Sequence, residues 1–143
     1  MSKLIETRAE FQHLSGERLQ EAEALLSLAK WGGAYYLAGY AVELALKACV
    51  IKRLMATDGF PPKDFSRDCY THDLAKLIDL SGLTTNFTVA RTADAELRKN
   101  WLVTRKWSEE MRYHLVAEVE ARALFNAIAD AAHGVLTWVR THW

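Results

Sequence analysis

Residues Trp31 to Met55 read WGGAYYLAGYAVELALKACVIKRLM, a helix-length stretch that is almost wholly apolar apart from a Glu-Lys pair one turn apart. At about 100° per residue, Ala41, Leu44, Ala48, Ile51 and Met55 share a face with Leu37, while Ala38, Val42, Ala45 and Cys49 form a second. A helix that is apolar on two sides needs neighbours on both, so it belongs in the middle of a bundle. Between the two faces runs a third strip, Tyr36, Tyr40, Glu43 and Lys47, spaced so that two phenols, a carboxylate and an ammonium line up. Any chemistry carried by this helix lies along that strip.

With 143 residues, half of them hydrophobic, the chain can bury a core as one domain spanning residues 1–143 without metal or disulfide support. Eighteen Lys and Arg balance eighteen Asp and Glu, so no global field steers the protein to nucleic acid or anionic lipid, and any such binding must come from a local patch. Cys49 and Cys69 form neither a metal-like spacing nor a disulfide framework, which predicts a reducing, cytoplasmic setting. The first residues, MSKLIETRAE, bring Glu6 before an apolar segment can build, so no secretory signal is expected. The longest uncharged run, Trp31 to Val42, is twelve residues, short of the roughly 20 a membrane-spanning helix needs; a soluble protein is expected.

Thr7 followed three residues later by Glu10 is a capping-box pattern, and Phe11, Leu14, Ala22, Leu25, Leu26 and Ala29 then share one face of a first helix ending near Lys30. Gly32 and Gly33 punctuate the chain before the central helix, predicting a helical hairpin. The segment ATDGFPPKDFSRDCYT holds both prolines and reads as an exposed loop. Thr71 is placed to cap a short helix from His72 to Leu80 that buries Leu74, Leu77 and Ile78. Ala90, Ala93, Leu97, Trp101 and Thr104 mark a third long helix from about Phe87 to Trp107, with a new turn beginning at Ser108. Ala117, Ala121, Leu124, Ile128, Ala131, Val135 and Trp138 give a fourth, from about Val116 to Arg140. No segment shows strand alternation. The expected fold is all-α, an up-and-down four-helix bundle with one short additional helix.

The run YYLAGYAVELALKA, then THDLAKLIDLSGL, then a Trp followed by MRY and an Ala-rich last helix, resembles the HEPN domain superfamily from about Glu10 to Trp138. The resemblance implies a helical bundle that homodimerises through its last helices, serves prokaryotic toxin-antitoxin or defence systems, and often stands beside a small nucleotidyltransferase. It also implies a metal-independent ribonuclease branch, whose members place an Arg and a His four to six residues apart near the start of the last helix. There an imidazole can move a ribose hydroxyl proton while an Arg holds the scissile phosphate. This chain departs from that pattern: Arg105 lies too far from His114 and Arg112 too close. Two formal matches occur elsewhere, Arg8 with His13 and Arg67 with His72, where chance supplies about one.

The candidate residues therefore fall into three groups. Arg67 and His72 bracket a loop end, and a His72 ring held neutral by a helix N-terminus suits a general base; the competing reading gives His72 a role in orienting the short helix and leaves Arg67 in solvent. Glu43 and Lys47 read as a structural ion pair capped by Tyr36 or Tyr40 hydroxyls, or else as part of a shallow pocket where the phenols stack a base and Lys47 meets a phosphate. Arg112 and Tyr113 match the family's RY pair, with Arg112 expected to reach Glu43. Arg91, Arg98, Arg105 and Arg112 recur every seven residues and would form a stripe along a continuous helix, able to follow a nucleic-acid backbone unless Asp94 and Glu109 neutralise Arg98 and Arg105. No metal or cofactor is expected. The sequence points to a noncatalytic binding module for nucleotide or RNA, with a ribonuclease toxin using Arg67 and His72 as the alternative.

Overall fold

The computed structural model describes residues 1–143 and is all-helical, with no strand. Eight α-helices follow one another: α1 Arg8–Ser27, α2 Trp31–Ala56, α3 Phe65–Asp68, α4 Leu74–Leu80, α5 Thr84–Ala93, α6 Ala95–Thr104, α7 Glu118–Ala129 and α8 Val135–Arg140, with a 3-10 turn at Glu109–Tyr113 between α6 and α7.

The capping box at the start of α1 is present. Thr7 Oγ1 accepts from the Glu10 amide, and the Glu10 carboxylate accepts from the Thr7 amide. The turn into α2 differs from the glycine punctuation expected from sequence. Ala29 takes the left-handed conformation at φ 56°, and the Ala29 and Lys30 amides donate back to Leu26 and Leu25. This double bond pattern satisfies the last carbonyls of α1 and reverses the chain in three residues. Gly32 and Gly33 consequently belong to the first turn of α2, where a Cβ on Gly33 would press on Leu25 at 3.1 Å. Ser15 is fully buried and ties the hairpin together by donating to the Ala41 carbonyl at 2.6 Å.

Helix α2 is the core element. Ala34, Ala38, Ala41, Val42, Ala45, Leu46 and Ala48 are wholly inaccessible, and α1, α4, α7, α8 and the 3-10 turn all pack on it. By length and composition α2 could cross a membrane, yet 72% of its apolar stretch is buried inside the protein. Its apolar surface is covered by its own neighbours.

The third and fourth helices are not the continuous rods expected. Each is broken, and the breaks face each other. Asp94 leaves helical geometry at φ −126°, ψ 101°, ends α5, and caps α6 by accepting from the Glu96 and Leu97 amides. Its second oxygen takes the Nδ1 hydrogen of His133 at 2.7 Å. On the other side, Asp130 ends α7 and accepts from the Ala132 and His133 amides, while Asn100 donates to the His133 carbonyl at 2.9 Å. Gly134 is required here, because a Cβ would lie 2.5 Å from the carbonyl oxygens of Asp130 and Ile128. The heptad-like seam survives the interruption at Ala121, Leu124, Ile128 and Val135, all fully buried, whereas Ala117 and Ala131 are exposed.

Gly39 lies beneath the Trp107 indole, which a Cβ would penetrate. Gly39→Ala is expected to cost about 1–3 kcal/mol through overpacking, while Gly16→Ala, in the α1 interior with open space around it, should gain roughly 0.5–1 kcal/mol. Urea denaturation of the two variants checks the opposite signs. A pH series tests the facing breaks. The bond to Asp94 raises the His133 pKa above its ordinary 6.5, and the same bond lowers that of Asp94 below its ordinary 3.8. The His133 contribution is thus fully present below pH 6.5 and lost as pH rises through the raised value; that of Asp94 is present above 3.8 and lost as pH falls through the lowered one. The Tm difference between wild type and His133→Gln should be largest between these limits and shrink on either side.

Candidate functional site

Glu43 sits in mid-α2 at 2% exposure, and an isolated carboxylate there would be strongly unfavourable. Two groups answer it, Lys47 and His72. Lys47, one turn on, brings Nζ to 3.3 Å of Oε2. His72 brings Nδ1 to 2.9 Å of Oε1 from the approach to α4. The other ring nitrogen of His72, Nε2, lies 3.1 Å from Oε2 of Glu109 on the 3-10 turn. The result is a carboxylate–imidazole–carboxylate bridge running from the core to the surface, with the Lys47 charge beside its inner end.

Local sequence explains how His72 is delivered. Asp73, rather than Thr71, caps α4, accepting from the Lys76 amide at 3.1 Å. Thr71 Oγ1 accepts from the Asp73 amide at 3.2 Å, so the polar run Thr-His-Asp builds one tight entry that turns the ring toward α2. His72 thus precedes the helix instead of occupying its first turn, and each of its ring nitrogens faces a carboxylate. Arg67 is turned elsewhere, 76% exposed at its side chain and 3.3 Å from Asp64. Arg8 starts α1 and His13 is exposed on the same helix.

The Glu43–Lys47 pair foreseen from the spacing is present, but its cap is His72 rather than a tyrosine hydroxyl. Tyr36 and Tyr40 stack with centroids 6.1 Å apart, and Tyr36 continues onto Trp107 at 6.0 Å. Burial, then the nearby Glu43 charge, pushes the Tyr40 pKa up and keeps it a phenol. Trp107 itself is buried, and its Nε1 has no hydrogen-bond partner. Arg112 does not reach Glu43. It lies over the Tyr113 ring at 5.0 Å, and the Tyr113 and Tyr36 hydroxyls raise its pKa further. Arg112 and Tyr113 therefore form the open edge of the strip, with Tyr36, Tyr40 and Lys47 half-buried beside them.

The basic stripe is not one surface. The break at Asp94 and the 3-10 turn divide it into Arg91, the pair Arg98 and Arg105, and Arg112. The carboxylates expected to neutralise it are engaged elsewhere, Asp94 with His133 and Glu109 with His72. No group of three His, Cys, Asp or Glu side chains is placed to hold a metal ion. Cys49 is pushed up to about 12 by burial, and burial with Asp68 also raises Cys69, so neither is a ready nucleophile.

The His72–Glu43 contact joins residues 29 apart in sequence, and no local periodicity signals it. Glu109 was legible from the sequence as a neighbour of Arg105, not as a partner of His72. The bridge carries a stability expectation: Glu43→Ala leaves Lys47 without its partner and should cost about 3 kcal/mol, while Arg112→Ala, at an exposed position, should stay within roughly 0.5 kcal/mol. Chemical denaturation of the two variants measures the contrast. Comparisons of the chain with protein-family models, with curated proteins and with solved structures found no match.

Proposed function

We propose that this chain is a noncatalytic, HEPN-like binding module of a prokaryotic toxin-antitoxin or defence system. In this reading it is cytoplasmic and homodimeric, works beside a nucleotidyltransferase, and binds nucleotide or RNA without cutting it. The observation that carries the reading is the placement of His72. Its Nδ1 lies 2.9 Å from a Glu43 oxygen and its Nε2 3.1 Å from a Glu109 oxygen, so both ring nitrogens are directed at carboxylates of this chain rather than at a place a ribose hydroxyl could occupy. The arginine that would accompany it in a ribonuclease, Arg67, is paired with Asp64.

The resemblance supplies the context. In this reading the broken pairs α5–α6 and α7–α8 correspond to the third and fourth helices of the family's bundle. Tyr113, Leu115 and Val119 are largely exposed at the entry to α7, which suits an apolar contact with a second copy. The ligand side is the open edge of the tyrosine strip, where a base can stack on Tyr36 and Arg112 can meet a phosphate.

Purified protein incubated with RNA in chelator is expected to give no cleavage. Metal-free cleavage that disappears in His72→Ala would replace this reading with the ribonuclease toxin. Calorimetry with ATP is expected to show binding that Arg112→Gln weakens by about tenfold. Affinity capture of the tagged chain should recover a nucleotidyltransferase.

A further inference from the structure

Independently of the tyrosine strip, helices α4, α5 and α6 enclose a cavity of about 230 Å³ that two arginines share. Phe87 and Trp101 line it, packed edge to face with centroids 5.1 Å apart. Ile78 of α4 and Thr84, the first residue of α5, also line it. Arg91 is fixed over the Phe87 ring, 4.5 Å from the centroid, with its Nε donating to the Phe87 carbonyl. Arg105, at the end of α6, lines the cavity as well and is exposed.

Neither arginine is neutralised. The acidic residues nearest in sequence serve other partners: Asp94 holds His133, Glu96 holds Lys99, and Glu109 holds His72. Asp79 accepts a hydrogen bond from the Thr84 hydroxyl. Burial and the Arg105 charge together push the Arg91 pKa below its ordinary value, so the two cations feel each other. At the start of α5, Thr84 belongs to the lining and its hydroxyl donates to the Asp79 carboxylate, which leaves the two arginines as the source of the positive charge. Two like charges gathered beside an apolar wall, in a chain whose net charge is zero, favour an anion between them.

We propose that this cavity binds a small organic phosphate, its phosphate held by Arg91 and Arg105 and its apolar body resting against Trp101 and Ile78. Guanidinium forks match the geometry of a phosphate and bind it bidentately. The volume lies below the roughly 300–1,000 Å³ of pockets for larger ligands, so the site takes a phosphomonoester carrying one small ring or short chain.

Calorimetry of the full chain with phenyl phosphate at low ionic strength tests the assignment, with inorganic phosphate and phenol titrated in parallel. Phenyl phosphate should bind one to one with a millimolar or tighter Kd, several-fold tighter than inorganic phosphate, and phenol should give no saturable heat. Arg105→Gln should weaken binding by about tenfold or more without shifting Tm, and Arg98→Gln, on the same helix but outside the cavity lining, should leave affinity within about twofold. Three results would each overturn the proposal: no saturable heat with phenyl phosphate, equal affinity for inorganic phosphate, or equal losses in the Arg98 and Arg105 variants. The last would mark diffuse surface charge instead of a pocket.

Discussion

A charge placed in the middle of the most buried helix sets the terms for half of this protein. Glu43 is 2% exposed, and a carboxylate at that depth is tolerated only when partners reach it. Lys47 comes from the same helix, but His72 must be brought by the approach to α4, and Glu109, on the turn after α6, meets the far nitrogen of that ring. The same face of α2 carries Gly39 one turn earlier, whose missing side chain admits the Trp107 indole. Trp107 seats the chain just before the 3-10 turn, and Glu109 follows two residues later. One polar contact and one aromatic contact therefore fix where the segment between α6 and α7 crosses the core helix.

A second His–carboxylate contact, of different character, joins α5–α6 to the turn between α7 and α8. Glu43–His72 answers a buried charge, whereas Asp94–His133 joins two helix interruptions. Each aspartate at these breaks has a local task first, Asp94 capping α6 and Asp130 accepting the amides of its turn. The kink at Asp94 folds α6 against α5, and that angle brings Arg91 and Arg105 to one cavity. A straight helix would have spread them along a row.

Much of the fold is legible from pattern. The two apolar faces of α2, the Thr7–Glu10 box and the Glu43–Lys47 spacing all act through short-range geometry and are present, except that the Leu37 face stops short of Met55, which is exposed. The Asp94 break was masked because Ala90, Ala93, Leu97, Trp101 and Thr104 keep a helical spacing through it, so periodicity continues where the backbone does not. The Asp130–Gly134 turn was masked likewise by a seam that resumes in phase at Val135. At the hairpin, Ala29 adopts a left-handed conformation that composition alone assigns to glycine.

The sequence by itself determined that the chain is helical, which faces of α2 are covered, and that its fixed charges balance, because periodicity and composition act within a few residues and need no knowledge of neighbours. Only the tertiary structure decided what each charged side chain meets. His72 is matched to Glu43 across 29 residues and His133 to Asp94 across 39, leaving Arg98 and Arg105 without the carboxylates that sequence spacing offered. Electrostatic pairing depends on distance in space and on burial, and the bend at Asp94 and the seat of Trp107 on Gly39 set both.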